Sequence, residues 1–369
     1  MLRFTHGPAT GSTAMLICDG HLDLAMNALE WNRDLTRSLD EVRQRERNLT
    51  DKPDRGQNVL TFGEMRTGQI GLCVATQIAR YVEPGSSLPG WNSPDIAWAV
   101  TQGQLAWYRA MEDAGHLVQI VDRDSLTRHV ALWQDAPSDH APIGYILSLE
   151  GADSLLSPAH VERAYGYGLR AIGPAHYGPG RYAPGTGASG GLAPLGRDLL
   201  RQMRQLNMIL DCTHLTDEAF WEALELFDGP VWASHNNCRA LVPGSRQFSD
   251  DQIRALIARD AVIGVACDAW MLYPNWIPGT TTPASADVRI EHCADHIDHI
   301  CQLSGNTRHS AIGSDLDGGY GREQCPRDLD SIADLQRLAG ILAQRGYNQA
   351  DVESILHGNW VRQLMKILS

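Results

Sequence analysis

Short apolar, β-branched runs recur along the 369-residue chain, each ending in small or polar residues and each followed by a helical stretch. They fall at 14–18, 70–76, 143–149, 169–174, 208–212, 231–234, 262–267 and 311–313, with 117–121 a ninth, shorter candidate. The runs are continuous rather than alternating, so they read as strands buried on both faces, a parallel sheet with helices outside. Helical patterns occupy 93–114, 196–206, 216–227, 249–259, 285–303 and 332–345. Three have clear start signals: Ser93 before Pro94 and Asp95, Thr216 before Asp217 and Glu218, and Ser249 before Asp250 and Asp251. Eight such units predict a (β/α)8 TIM barrel rather than a doubly wound sheet. The polar, helix-like segment at about 27–68, centred on Arg43 to Arg47, reads as an excursion after the first strand. One barrel domain with insertions, spanning 1–369, is the expected organisation.

Composition narrows the function. Lys plus Arg number 31 against 44 Asp plus Glu, a net charge of −13, which argues against a nucleic-acid partner. With 43% hydrophobic and 20% charged residues the chain is globular rather than disordered. No apolar run approaches the roughly 20 residues of a membrane span. The first residues, MLRFTHGPATGSTAMLICDG, lack a long apolar core, so no secretory leader is expected. The eight cysteines form no CxxC pair and several lie inside apolar runs, which predicts reduced thiols and a cytoplasmic location. Fourteen histidines call for a separate explanation.

In a parallel barrel, chemistry gathers at the C-terminal ends of the strands. The first run leads into Asp19-Gly20-His21-Leu22-Asp23, and later runs lead to Glu150, His176, His214, His235 and Asp315. A single His there is ordinarily structural and a single Asp ordinarily caps a helix. Six of eight strand ends carrying such groups is a different matter. His21 and Asp23, at i and i+2 in extended backbone, point to one face. Three imidazoles (His21, His214, His235) and two carboxylates (Asp23, Glu150) form a nitrogen and oxygen set suited to Zn²⁺. Cys212 reads as barrel packing instead. Five ligands exceed a mononuclear catalytic site, and a carboxylate bridging two ions roughly 3.5 Å apart accounts for the excess. Two Zn²⁺ against Asp23, Glu150 and one hydroxide leave a single positive charge, which Asp315 would neutralise.

The sequence at this point resembles the membrane (renal-type) dipeptidases, peptidase family M19, within the amidohydrolase-like metal-dependent barrels. The resemblance runs through Asp19 to Leu24, Ser148 to Asp153, Pro174 to His176, Gly191 to Arg197, Leu210 to His214 and Ala233 to Asn237. It continues through Asp295 to Ile300, Ile312 to Gly318 and Gly358 to Trp360. It implies that His21 and Asp23 hold one zinc, His214 and His235 the other, and that Glu150 bridges them, with a hydroxide between the metals as nucleophile. Asp315 would carry its proton to the leaving amine, and His176 would polarise the carbonyl and stabilise the oxyanion. Arg246 would clamp the substrate carboxylate. A homodimer is also implied.

The chain departs from the family pattern in its pocket. Pro174-Ala175-His176 replaces Leu-Thr-His, and a Gly-rich loop follows at 178–191. Met271, flanked by the candidate substrate contacts Trp270 and Tyr273, stands where relatives tend to carry a tyrosine. The run ending Ala266-Cys267-Asp268 replaces the usual Asn-Phe.

Other motifs read as structural. Gly185 to Gly190 fits GxGxxG, but Pro179, Arg181 and Pro184 separate it from a strand, so a mobile loop beside the site is expected. His292, His296 and His299 share a helix face as packing or contact residues, the tryptophans including Trp91 read as core or interface, and Asp317 reads as loop hydrogen bonding. The expected activity is zinc-dependent hydrolysis of dipeptides, L,D-dipeptides included. The alternatives are an amidohydrolase acting on N-acyl amino acids, cyclic amides or lactones, and a catalytically silent metal-binding protein.

Overall fold

The computed structural model describes residues 14–135 and 138–368. The expected lack of a leader rests on residues 1–13, outside the described residues. Among the described residues nine strands form: β1 (Ile17–Leu22), β2 (Ile70–Ile78), β3 (Leu117–Gln119), β4 (Ile143–Glu150), β5 (Leu169–Gly173), β6 (Ile209–Asp211), β7 (Val231–Trp232), β8 (Ile263–Val265) and β9 (Ser310–Ile312). All ladders are parallel, in the order β1-β2-β4-β5-β6-β7, with β8 and β9 paired separately. A bridge between Ala233 and Ile263 joins β7 to β8. Donation from the Asp315 amide to the His21 carbonyl, 3.3 Å, ties the end of β9 to β1. The result is a (β/α)8 barrel. The ninth strand supplements it: β3 pairs with Ile143 to Tyr145 at the start of β4, while Leu147 to Glu150 pair with β5.

Every residue of β1, β2 and β4 is buried, which explains why their sequence runs do not alternate. Cys18, Leu72, Val74, Ile146, Ala171, Ile209, Trp232, Val262 and Ala311, drawn from or beside all eight barrel strands, form one cluster with Trp360 and Leu364. Side chains from every strand can meet only inside the barrel. The C-terminal helix Asn359–Ile367 therefore closes its lower end, with the Trp360 indole donating to the Ile312 carbonyl at 2.8 Å. A Cβ on Gly20 would lie 2.3 Å from the Trp360 ring, so glycine is required there.

The helix starts at Ser93, Thr216 and Ser249 form as read, each side chain capping a backbone amide. Several boundaries move. β1 begins at Ile17 instead of 14 and runs on to Leu22, so most of the Asp-Gly-His motif lies within the strand. The helix expected from 285 starts at Glu291, because Ser285 is held in a turn with Thr282. Arg123–Gln134, capped by Asp122, is a helix that apolar spacing alone did not indicate. Among the described residues no helix is long and apolar enough to cross a membrane. All eight cysteines are buried free thiols.

The excursion carries the helices Leu24–Glu30, Leu39–Glu46 and Phe62–Thr67. Buried Arg33 pairs with Glu46 at 3.0 Å and Asp54 at 2.9 Å and faces Asp317 at 4.0 Å. The Asp317 carboxylate accepts from the amides of Val59 and Leu60, which moors the excursion to the loop after β9.

Trp360→Ala should cost about 3–5 kcal/mol by emptying the barrel floor. Urea denaturation would show this as a lowered midpoint, and an unchanged midpoint would mean that the floor does not hold the barrel together.

Candidate active site

Five groups stand at one offset from their strands. His176, His214, His235, Asp268 and Asp315 each lie three residues beyond the end of β5, β6, β7, β8 and β9. Glu150 is the last residue of β4, and His21 and Asp23 flank the end of β1. The offset lets each side chain turn in over the barrel top. At two positions the backbone is left-handed, with φ of 68° at His214 and 58° at Asp315. Such conformations cost about 1–3 kcal/mol each in non-glycine residues and recur where a side chain must be aimed.

The groups converge on Glu150, which is 8% exposed. Its Oε2 lies 3.5 Å from His21 Nε2, and its Oε1 lies 3.2 Å from His214 Nε2 and 3.3 Å from His235 Nε2. His21 Nε2 is also 3.8 Å from both Asp23 Oδ2 and Asp315 Oδ1. His176 Nε2 stands 4.0 Å from Glu150 Oε1. The two oxygens of one carboxylate thus face two different sets of ligating atoms.

Hydrogen bonds fix how these rings are turned. His214 Nδ1 meets Thr186 Oγ1 at 2.8 Å, and His235 Nδ1 meets Ser234 Oγ at 2.9 Å. With Nδ1–H donated to those hydroxyls, both Nε2 atoms, 3.1 Å apart, present lone pairs to Glu150 Oε1. His21 Nε2 is buried and has no hydrogen-bond partner among the described residues. Lone pairs crowded on a buried carboxylate repel unless a cation lies among them, so the donor set fits divalent metal. Groups able to share an ion are His21, Asp23 and Glu150; His21, His235 and Asp315; and Glu150, His176 and His214. Thr76 donates to Asp23, while buried Asp19 accepts from Ser314 and Asp211 from Thr213 and Ser234, bracing the strand ends.

Burial governs the protonation states. It pushes the Asp315 carboxyl well above the usual carboxylate range; His21 opposes the shift, and the Asp23 and Glu150 charges add to it. Burial likewise raises Glu150. For His21 burial pulls downward, but Glu150 and Asp23 outweigh it and hold the ring above its usual value. His176, His214 and His235 are driven well below the usual range by burial, with the Arg246 charge adding to each.

A cavity of about 420 Å³ opens over these groups, lined also by Trp31, Lys52, Arg80, Trp91, Tyr177, Arg246, Trp270 and Met271. Arg246 is 4% exposed and donates to Asn236 Oδ1 at 2.6 Å and to the His235 carbonyl at 2.9 Å. Its remaining N–H groups are left for a ligand. Trp270 lies in the wall. Tyr273 does not line the cavity; it packs half-buried against the core. Trp91, read from sequence as core or interface, is part of the wall.

Sequence reading also missed Asp268, raised by burial to about 7, with Gln324 and Trp270 hydrogen bonds opposing. The strand-end offset that marks its neighbours would have found it. Arg80, bonded to His176 Nδ1 at 2.6 Å, had no local signal. The Gly-rich loop is tied down rather than free. The Thr186 amide donates to the His176 carbonyl, the Thr186 hydroxyl meets His214, and a Cβ on Gly185 would lie 1.8 Å from the His176 oxygen. The outer-helix histidines have separate partners: His292 bonds Arg289, His296 accepts from the Cys238 amide and His299 bonds Asp250.

A family model described as "Membrane dipeptidase (Peptidase family M19)" matches residues 12–368. An uncharacterised Klebsiella pneumoniae protein in the pqqA 5′ region is 30% identical over 236 residues, 61% of this chain and 82% of that one. A Schizosaccharomyces pombe dipeptidase, itself uncharacterised, is 28% identical over 225 residues, 60% of this chain. The match spans only 52% of that relative's length. Among solved structures, dipeptidase AC, a metallopeptidase of family M19, has a TM-score of 0.77 at 21% identity, covering 96% of this chain and 99% of that one. A metallopeptidase from Rhodobacter sphaeroides, liganded with a phosphinate mimic of L-Ala-D-Ala, gives 0.76 at 21% identity, covering 96% and 100%. With the family match running over nearly its whole length, the chain belongs to the membrane dipeptidase family, peptidase family M19.

Proposed function

We propose that this chain is a zinc-dependent dipeptidase with two metal ions, built on one barrel domain into which the segments at about 27–68 and 178–191 are inserted. The observation that carries this reading is Glu150: its two carboxylate oxygens face separate imidazole groups across distances of 3.2 to 3.5 Å. In this reading His21 and Asp23 hold one ion, His214 and His235 the other, and Glu150 both. Two zinc ions held there would supply a water acidified to hydroxide near neutral pH and a Lewis acid for the scissile carbonyl.

The remaining steps belong to side chains. Asp315, whose Oδ1 lies 3.8 Å from His21 Nε2, takes the proton of the attacking water and delivers it to the leaving amine. His176 donates a hydrogen bond to the oxygen that becomes negative. Arg246 binds the free carboxylate of the substrate. The cavity volume suits a ligand of dipeptide size. The dipeptide mimic bound by the Rhodobacter sphaeroides relative supports including L,D-dipeptides among the substrates. A homodimer belongs to the same reading and is measured by analytical ultracentrifugation.

The deciding experiment is metal analysis coupled to a panel of L,L- and L,D-dipeptides, N-acyl amino acids, cyclic amides and lactones. We expect about two zinc ions per chain, dipeptide turnover, and its loss on chelation with recovery on zinc addition. A zinc-loaded protein that hydrolyses only the other amides or lactones would replace the dipeptidase reading.

Asp315→Asn should keep about two ions and lose roughly 100- to 10,000-fold in kcat; retained turnover would remove Asp315 from the proton path. Arg246→Met should raise KM by about 10- to 100-fold for dipeptides with a free carboxylate, with a smaller effect on their C-terminal amides. Equal losses on both substrates would show that it does not read the carboxylate.

A further inference from the structure

Arg80 stands at the mouth without a part in the mechanism above, and what it touches decides how His176 can act. A guanidinium has donors and no acceptor. Its Nη2 lies 2.6 Å from His176 Nδ1, so Nδ1 must be the acceptor. A neutral imidazole whose Nδ1 accepts carries its proton on Nε2, and Nε2 is the atom aimed at the centre, 4.0 Å from Glu150 Oε1.

We propose that Arg80 is a positioning residue that fixes His176 as the neutral Nε2–H tautomer. His176 is thereby committed to donating a hydrogen bond to the reacting oxygen and barred from ligating metal. The catalytic part of this inference rests on the dipeptidase reading; the tautomer does not. It also selects among the possible ligand groups. The set of Glu150, His176 and His214 would need a lone pair on His176 Nε2, and Arg80 has placed the only lone pair on the other nitrogen.

Both partners are held in place. Arg80 Nη1 donates to the Pro89 carbonyl at 2.8 Å, within the loop that brings Pro89, Gly90 and Trp91 to the cavity wall. The Trp91 amide donates to the Arg80 carbonyl at 2.8 Å. A Cβ on Gly90 would lie 2.9 Å from that same oxygen, so the loop can approach this closely only with glycine. On the other side the His176 ring packs edge-on to His214 and Tyr177, with centroids at 4.7 and 5.0 Å. The position of the rim loop is thus linked through one guanidinium to the proton on a reacting group.

The test is a long-range ¹H–¹⁵N spectrum of ¹⁵N-histidine-labelled, zinc-loaded protein at neutral pH, with His176 assigned by its loss in His176→Gln. Unprotonated Nδ1 and protonated Nε2 are expected in the wild type and in Arg80→Lys, which keeps a donor. A tautomer mixture is expected in Arg80→Met. Protonated Nδ1 in the wild type, or a signal unchanged in Arg80→Met, would overturn the proposal. If Arg80→Met does not fold, the wild-type and Arg80→Lys spectra still decide it. Zinc content should stay the same in His176→Gln, and loss of an ion would make His176 a ligand instead. With a dipeptide substrate, Arg80→Met should lower kcat about 10- to 100-fold while KM moves less than about threefold. A loss confined to KM would give Arg80 a binding role. If no dipeptide is turned over, the spectra still test the tautomer while the dipeptidase reading fails.

Discussion

A carboxylate buried at the top of a barrel must be charged to be useful and neutralised to be tolerated, and Glu150 is under both demands. Removing an ionised carboxylate from water costs several kcal/mol unless a counter-charge lies nearby. Its neighbours are three imidazole nitrogens at 3.2 to 3.5 Å. Two of these rings are driven neutral by burial and cannot supply the missing charge. The third, His21, is held above its usual pKa by Glu150 and Asp23 and supplies charge on one side of the carboxylate, while the lone pairs of the other two rings face it in a donor set that fits a cation. Much of the surrounding structure keeps those lone pairs turned inward.

That orientation is built from strands that are far apart in sequence. Thr186 and Ser234 fix the outward nitrogens of His214 and His235, Asp211 ties the strand ends that carry them, and Asp19 ties the end of β9 to β1. Left-handed backbone at His214 and Asp315 is strain that the packed barrel below can sustain. Trp360, filling the floor from the C-terminal helix and packing against Gly20 beside His21, contributes to that rigidity. The excursion reaches the same centre from outside. Arg33, Glu46 and Asp54 anchor it, and Asp317 holds it two residues from Asp315.

The rim is built differently from the centre. Trp31 and Lys52 come from the excursion, Trp91 from the loop after β2, and Trp270 and Met271 from the segment after β8. Asp268 adds a buried carboxyl, its pKa raised by burial to about 7, to the wall that also holds Arg246. The centre is thus built from strand ends and the rim from the segments between them, and Arg80, bonded to His176, is where the two meet.

The sequence by itself determined the barrel class, the eight strands, three helix caps and the convergence of His21, Asp23, Glu150, His176, His214, His235 and Asp315. Each is a local property: burial writes continuous apolar runs, caps follow short-range hydrogen bonding, and a strand end lies beside its own strand. The tertiary structure alone decided the contacts between residues remote in the chain. Arg80 meets His176 across 96 positions, Thr186 reaches His214 across 28 and Val59 reaches Asp317 across 258. It also removed Tyr273 from the wall, placed Trp91 in it, and set the ninth strand outside the barrel ring. Periodicity reports which face of an element is buried. Which groups then share that space depends on strand order, register and closure, and no local pattern encodes those.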